Sequence, residues 1–464
     1  MRNINEFRKI ICGIDKKVPL LDGSYKQYVF FDNAASTPSL TEVNETIIKF
    51  LEWYSAVHRA AGFKSLVSTK AYDDAHEIIS KFVGADLEKQ TVIFTKNTTE
   101  AINKISSRLN LTKDDVVISS WMEHHSNDLP YRRFAKVEYI DINEDGSLNE
   151  NDYIQKLEKN KGKVKLVAIT GASNITGICN PIHKFAKIAH QYGVKFLVDA
   201  AQLAPHKKID MYPSNHPEHI DFLVFSAHKM YSPFGIGVLI APKELLEKGE
   251  PSEVGGGTVK IVTHDEVHWA DLPEKEEAGS PNVVGAIALA KAIQVLNDFT
   301  MEALDEHEKS LTKYLLERLN DRKEISILGP HNPNDLENRL GVVAFNIGTL
   351  PNQLVAAIFS AEAGIGVRSG CFCAHPYLKK LMKVDKKESD ELIQKIISGD
   401  KSELPGAVRV SFGAYNTFEE IDRLIDIIDI IIKGKHKGKY KLVKEYGVFY
   451  PENFTIKYSD YFSL

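Results

Sequence analysis

Cysteine is scarce in this chain: Cys12, Cys179, Cys371 and Cys373 are the only four in 464 residues. That is too few for a disulfide framework, and a reducing, cytoplasmic setting is the default expectation. Long apolar runs are missing too. No stretch reaches the roughly 20 apolar residues a membrane helix needs. The Ile-rich run near the C-terminus is broken by Asp422, Asp426 and Asp429 at helical spacing, which makes it one face of a surface helix. Residues 1–20 hold no apolar core with a small-residue cleavage site, so no signal peptide is expected. Neither sign of charge dominates. A formal net charge of −5 gives no general reason to expect nucleic acid or an anionic membrane as a partner. Internal repeats and low-complexity tracts are absent from the sequence.

What is present is an alternation. The short apolar runs "TVIFT", "DVVIS", "KVEYID", "KLVAIT", "KFLVDA", "DFLVFS" and "GVLIA" are separated by amphipathic segments such as "NPIHKFAKIAHQYG". This predicts an α/β fold with helices on both faces of a sheet. Several runs are continuously apolar, which suits a buried, mostly parallel sheet. Beyond about residue 294 the pattern changes to long charged helices and a few strands, read as a smaller α+β domain. The expected organisation is a large domain over 26–293, a small domain from 1–25 and 294–433, and a basic, then aromatic, C-terminal extension over 434–464 docked on the surface.

Open parallel sheets bind ligands beyond the carboxyl ends of their strands, and the residues there are polar. Thr98 and Thr99 follow "TVIF" at a helix start, where N–H groups and the helix dipole favour phosphate; plain N-capping is the alternative. His124 and His125 follow "VVISS", Asn174 follows "LVAIT", and Asp199 and Gln202 sit in "VDAAQ". "FSAHK" brings Ser226, His228 and Lys229 together where a desolvated lysine needs a reason. One ligand accounts for all of these. It has a phosphate for Thr98, Thr99, Ser226 and His228, and a basic ring nitrogen for Asp199. It has an oxygen for Asn174 and Gln202, a face for His124 to stack on and an electrophilic carbon for Lys229. Pyridoxal phosphate meets each requirement, with Lys229 as its Schiff-base lysine.

The strings "FDNAAST", "NTTEAIN", "EHHSN", "VDAAQ", "SAHKMYSPFGIG" and "EAGSPN", in this order, resemble the class V branch of fold-type I pyridoxal-phosphate enzymes. The chain is most similar to the cysteine desulfurases and selenocysteine lyases, from "YVFFDNAASTP" to "RVSFGAYNTFEEIDRL". The resemblance implies that Asn33 and Ala34 line the substrate side of the pocket, and that His58 and Arg59 lie near the active site, across a dimer interface. Ser280 would reach the cofactor phosphate of a partner subunit, implying a homodimer. Gly255, Gly256 and Gly257 resemble the family's glycine loop, with a flexible turn as the alternative.

In "GVRSGCFCAHP", Arg368 can clamp an α-carboxylate, as can Arg409 in "AVRVSF"; inside an apolar strand Arg409 needs an anion. By resemblance Cys373 is the catalytic cysteine, taking the sulfur of L-cysteine as a persulfide while L-alanine leaves, with Lys229 and His124 moving the Cα proton. "RSGCFC" is also similar to the motif of molybdenum-cofactor sulfurases, where Cys371 would relay or resolve the persulfide. No metal is expected, although Cys371, Cys373 and His375 would share a face if the strand continued through them. Cys373 and Arg409 stand 36 positions apart (409 − 373), further than in close desulfurases. The charged, helical-looking insert over 377–406 would lid the pocket, dock a sulfur-acceptor protein or mark a different substrate. Two other readings stay open: a class V aminotransferase, epimerase or C–S lyase without a persulfide, and a non-enzymatic pyridoxal-phosphate binder.

Overall fold

The computed structural model describes residues 2–58, 61–402 and 405–464, apart from the side chain of Lys386. The chain forms two compact units. The first takes residues up to Cys12, Ser36–Asn174 and Ile178–Glu306; the second takes Gly13–Ala35, Ile175–Gly177 and His307–Leu464.

All seven apolar runs are strands of one sheet in the first unit: β1 (Gln90–Thr95), β2 (Val116–Ser120), β3 (Lys136–Ile140), β4 (Val164–Thr170), β5 (Lys195–Asp199), β6 (Phe222–Ser226) and β7 (Gly237–Pro242). Their order is β1-β7-β6-β5-β4-β2-β3. Only β7 runs antiparallel to its neighbours, so the sheet is mostly parallel. β1, β2 and β6 are buried at every residue, so both of their faces are covered, as continuous Val/Ile/Leu runs require. Ala101, Ile102 and Ile105 of helix α2 (Thr98–Arg108) pack with Ile93, Val117, Leu197, Val224 and Leu239. Helix α1 (Phe63–Phe82), α3 (Ile182–Gln191) and α4 (Val283–Phe299) also belong to this unit. The parallel strands point their carboxyl ends the same way. That end gathers Ser120, Thr170, Asp199 and Ser226.

Of the N-terminal residues, those up to Cys12 group with the first unit, whereas Gly13 onward belongs to the second. Phe7 is fully buried, edge-on to Tyr231 at 5.3 Å and to Phe299 at 5.0 Å, and this aromatic contact holds the segment in the first unit. The division falls within α5 (Met301–Asn320) rather than at residue 294.

The second unit has an antiparallel sheet of β8 (Ile325–Ile327), β9 (Val342–Ile347), β10 (Arg368–Gly370) and β11 (Ala407–Ser411), in the order β8-β9-β11-β10. Helices α6 (Asn352–Ala363), α7 (His375–Leu381), α8 (Lys386–Ile397) and α9 (Phe418–Ile432) complete it. The Asp/Ile run is α9. It starts with a capping box between Thr417 and Glu420 and buries Ile421, Leu424, Ile425 and Ile428 in the core with Phe345, Phe359 and Phe412. The extension is docked. Its hairpin of β12 (Tyr440–Val443) and β13 (Val448–Pro451) packs on α6, and the Lys437 and Gly438 N–H groups both donate to Glu362 at 2.8 Å. Among the described residues no single helix is long and apolar enough to cross a membrane. α4 and α5 reach that length only together, across a 75° bend.

Candidate active site

The first unit carries an anion cradle. Helix α2 begins after Asn97, whose side chain accepts the Glu100 N–H at 3.0 Å. Ser226, at the end of β6, accepts the Thr98 N–H at 2.8 Å, and its hydroxyl lies 2.6 Å from that of Thr98. The Thr99 hydroxyl meets Ser126 at 2.7 Å. Gly237 makes this closeness feasible, because a Cβ there would lie 2.4 Å from the Asn97 carbonyl carbon. Hydroxyls and N–H groups thus converge at a helix start, a donor set suited to a phosphate.

β6 runs buried into a short turn, Ala227–Lys229. The turn is pinned through the His228 carbonyl, which accepts from the Thr37 N–H at 2.9 Å and the Ser36 hydroxyl at 2.9 Å. Lys229 is left half-buried. Burial, then the Lys229 charge, pushes the His228 imidazole down to about 4. Asp199 is buried at the end of β5, where its Oδ1 accepts the Ala201 N–H at 3.0 Å. Burial raises its carboxyl above the ordinary range, against the Ala201 bond and the Lys229 charge. A cationic ring nitrogen is the partner such a carboxylate calls for. Asn174 and Gln202 are buried just beyond β4 and β5. His124 is half-buried. Its Nδ1 accepts the Ser126 N–H at 3.2 Å, which orients the ring and leaves Nε2 as the protonated nitrogen. The chemistry of this set fits pyridoxal phosphate: hydroxyls for the phosphate, a buried acid for the ring nitrogen, and an amine.

Three further residues, Glu123, Ser36 and Thr37, matter beyond those singled out from sequence. Glu123 is fully buried and receives Ser120 Oγ at 2.5 Å, the Thr170 N–H at 3.0 Å and Asn127 Nδ2 at 2.6 Å. It ties the turn bearing His124 to the end of β4. Burial pushes its carboxyl up to about 8, against these three bonds. Its presence in "EHHSN" beside an apolar Met was the available signal. Ser36 and Thr37, in "AAST", were the other omission.

Ser280 lies exposed ahead of α4. The glycine loop packs on the segment before it: Gly256 O accepts the Gly279 N–H at 2.7 Å, and a Cβ on Gly257 would meet Gly279 O at 3.1 Å. His58 pairs with Glu274 at 3.1 Å and lies 3.7 Å from Asp73. Arg59 falls outside the described residues.

The second unit carries the arginines and Cys373. Arg368 and Arg409 are directly opposed across β10 and β11. Like charges so placed repel, and Asp32 resolves this. Its two oxygens take Arg409 Nη2 at 2.9 Å and Arg368 Nη2 at 2.7 Å. Asp32 reaches them because Val29–Phe30 pairs with Ile365–Gly366, and Phe31 O accepts the Ser411 N–H at 2.8 Å. Arg409 is 3% exposed, with its guanidinium 4.9 Å from the centre of the Phe372 ring, whereas Arg368 is half exposed. The anion that Arg409 needs is therefore Asp32 within this unit. Asn33 is buried with its amide engaged, donating to Ser411 O at 2.9 Å and accepting from Tyr415 OH at 2.8 Å. The Ala34 N–H donates to the Ser411 hydroxyl at 2.9 Å.

β10 ends at Gly370 (φ 109°), and Phe372 and Cys373 both take left-handed conformations (φ 55° and 54°). For residues with a Cβ these are costly by about 1 kcal/mol each. The turn exposes Cys373. Cys371 points the other way and donates its thiol to Pro405 O at 2.7 Å; burial pushes this thiol up to about 11. The shared face supposed for Cys371, Cys373 and His375 does not form, because the strand has ended before them. Among the described residues these three are not brought together as metal ligands.

Comparison with known proteins shows the family. The model of the class V aminotransferase family matches residues 29–424. A probable cysteine desulfurase from Halalkalibacterium halodurans is 35% identical over 431 residues, 91% of this chain and 96% of that one. A cysteine desulfurase from Haloferax volcanii is 32% identical over 410 residues, 86% and 88% of the two chains. The apo structure of a cysteine desulfurase from Thermococcus onnurineus is similar at a TM-score of 0.79 and 32% identity, covering 94% of this chain and 99% of that one. An S-sulfonic acid form of an Escherichia coli cysteine desulfurase gives 0.74 and 28%, covering 93% and 99%. The fold is that of the fold-type I pyridoxal-phosphate enzymes, and the chain belongs to the class V aminotransferase family.

Proposed function

We propose that this enzyme is a cysteine desulfurase that moves the sulfur of L-cysteine onto Cys373 and releases L-alanine. The observation that carries this reading is the contrast between the two close cysteines. Cys373 is held exposed on a strained turn five positions after Arg368, while Cys371 is half-buried as a hydrogen-bond donor.

Pyridoxal phosphate, when bound, supplies electron withdrawal at the substrate Cα. Thr98, Thr99, Ser226 and His228 would hold its phosphate, Asp199 its ring nitrogen, Asn174 and Gln202 its ring oxygen, and Lys229 its aldehyde carbon. Arg368 and Arg409 orient the substrate carboxylate, sharing their charge with Asp32. Lys229 and His124 move the Cα proton. The Cys373 thiolate attacks the substrate sulfur. An S–S bond forms, the Cβ–S bond breaks with its electron pair left on the carbon skeleton, and that carbon takes a proton to become alanine. The sulfur stays on Cys373 as a persulfide, for transfer to an acceptor protein.

A homodimer is part of this reading. The exposed side chains of Ile48, Leu51, Trp53, Tyr54, Phe63 and Leu66 and the exposed Ser280 support it. The four free cysteines support a reducing, cytoplasmic setting. Selenocysteine is the competing substrate.

The test is to quantify alanine and sulfide together from L-cysteine plus a reductant, for the native enzyme and Cys373→Ala. Equal yields, lost in the variant while its cofactor spectrum survives, are expected. Pyruvate with sulfide, or unchanged product in the variant, overturns the reading in favour of a lyase or aminotransferase.

A further inference from the structure

We propose that Phe372 is a positioning residue for the desulfurase reaction: its ring, seated on the Arg409 guanidinium, fixes the turn that presents Cys373 relative to the group that grips the substrate carboxylate. The inference rests on the reading of Cys373 as the sulfur acceptor, and all of its parts lie within the second unit.

The backbone of the turn shows why it needs a fastener. The Ala374 N–H donates to Cys371 O at 3.1 Å, which closes a turn over Cys371–Ala374. Both central residues have positive φ, 55° at Phe372 and 54° at Cys373. Positive φ at both centres is the mark of a type I′ turn, where Asn and Gly are preferred because a Cβ is crowded. Phe and Cys suit neither position, so local preference works against this conformation and tertiary contacts must hold it. The approaches to the turn are fixed. A Cβ on Gly406 would fall 2.7 Å from Gly370 Cα, so those two backbones are in close contact ahead of the turn. Behind it, in α7, the Tyr377 hydroxyl lies 3.1 Å from that of Thr176.

Two side chains tie down the turn itself. The Cys371 thiol donates to Pro405 O, but a thiol is a weak donor. Phe372 is the stronger tie. It is 8% exposed, and the centre of its ring lies 4.9 Å from Arg409 Cζ. Arg409 is buried in β11 and donates to Asp32 at 2.9 Å, so the cation is itself held in place. A desolvated guanidinium against a ring is the strong form of this contact. One central residue of the turn is thereby clamped, and the other, Cys373, is presented to solvent. The chemistry calls for such a link. Only Cα and Cβ separate the carboxylate of L-cysteine from its sulfur. An enzyme that grips the first and attacks the second must fix the spacing of the two groups it uses, and a misplacement of about 1 Å can cost about 100-fold in rate. Phe372 sets that spacing, because its ring touches Arg409 and its backbone leads directly into Cys373.

The test compares Phe372→Tyr, Phe372→Ala and Phe372→Gly in full-length holoenzyme. Ala removes the ring and keeps the unfavourable Cβ, whereas Gly removes the ring and accepts positive φ. Two quantities are read: kcat and KM for alanine release from L-cysteine with a reductant, and hydrogen exchange at the Ala374 N–H, which is freed when the turn opens. Phe372→Ala should lose about tenfold or more in kcat with KM within about threefold, and Ala374 should exchange faster by a similar factor. Phe372→Gly should fall between Phe372→Ala and the native enzyme in both readouts, and Phe372→Tyr should stay within about threefold of native. Phe372→Leu, which keeps apolar bulk without the ring, should lose kcat as Ala does, and it carries the test if the smaller variants fail to fold. Native kcat in Phe372→Ala or Phe372→Leu overturns the proposal. So does a Phe372→Gly enzyme no better than Phe372→Ala, because a ring that only filled space would be missed equally in both. Exchange is read without turnover. A native enzyme that releases no alanine from L-cysteine would therefore sink the proposed reaction, while unchanged exchange in Phe372→Ala would sink the ring's hold on the turn.

Discussion

Replacing Asp32 with Asn tests how the two opposed arginines are held. Asp32 lies 2.9 Å from Arg409 and 2.7 Å from Arg368, yet the two contacts differ in worth. At an effective dielectric of about 20, a charge pair at that separation attracts by roughly 6 kcal/mol. Arg368 is 52% exposed, so solvent screens its share to about 0–1 kcal/mol. Arg409 is 3% exposed, and removing the partner of a buried ion costs about 3–5 kcal/mol. The Phe372 ring under the guanidinium and the remaining Asn carbonyl offset part of this. The expected loss is about 2–4 kcal/mol for Asp32→Asn and under about 1 kcal/mol for Arg368→Ala. Urea unfolding followed by fluorescence, with m unchanged, measures both. Added L-alanine, whose carboxylate can replace the missing one, should raise the Tm of Asp32→Asn more than that of the native enzyme. Equal destabilisation by the two substitutions, or none from Asp32→Asn, would refute the assignment of Asp32 as the counter-ion of Arg409.

Cys371→Ser should keep alanine production within about twofold, since a buried thiol raised to about 11 is not a thiolate near neutrality; loss of more than tenfold would give Cys371 a role in sulfur transfer. Gly237→Ala forces a Cβ against the backbone of Asn97 and should cost about 1–3 kcal/mol and weaken pyridoxal-phosphate retention on dialysis; unchanged retention counts against the cradle. Glu123 has a folded-state value raised to about 8 from an ordinary 4.5, so its contribution to stability is complete below the ordinary value and is lost as pH rises through about 8. Glu123→Gln should flatten that decline, which is on the order of a few kcal/mol between pH 5 and pH 9 in urea unfolding; parallel profiles would show that Glu123 does not titrate there.

The central sheet was legible because its strands are buried on both faces. An unbroken apolar run such as "DFLVFS" then marks both the strand and, by where it stops, the end that holds the polar residues. Ser226, Asp199, Thr98 and Lys229 stand at or just past the points where such runs stop, each in its own local string. The missed features all depend on partners distant in sequence. Asp32 stands in a quoted motif, but its role appears only once Val29–Phe31 is laid between Gly366 and Ser411. Cys371 looked equivalent to Cys373 because alternation presumes a continuing strand. Gly370 ends that strand, and a Cβ on Gly406 would fall 2.7 Å from Gly370 Cα, so the insert returns close enough for Pro405 to accept the Cys371 thiol. The insert thus has a consequence at the end of the strand that carries Arg368, independent of any lid or docking role. By closing on Gly370 it buries one thiol, and the left-handed turn that follows leaves the other exposed. The long spacing between Cys373 and Arg409 is in this sense part of how the chain tells its two cysteines apart.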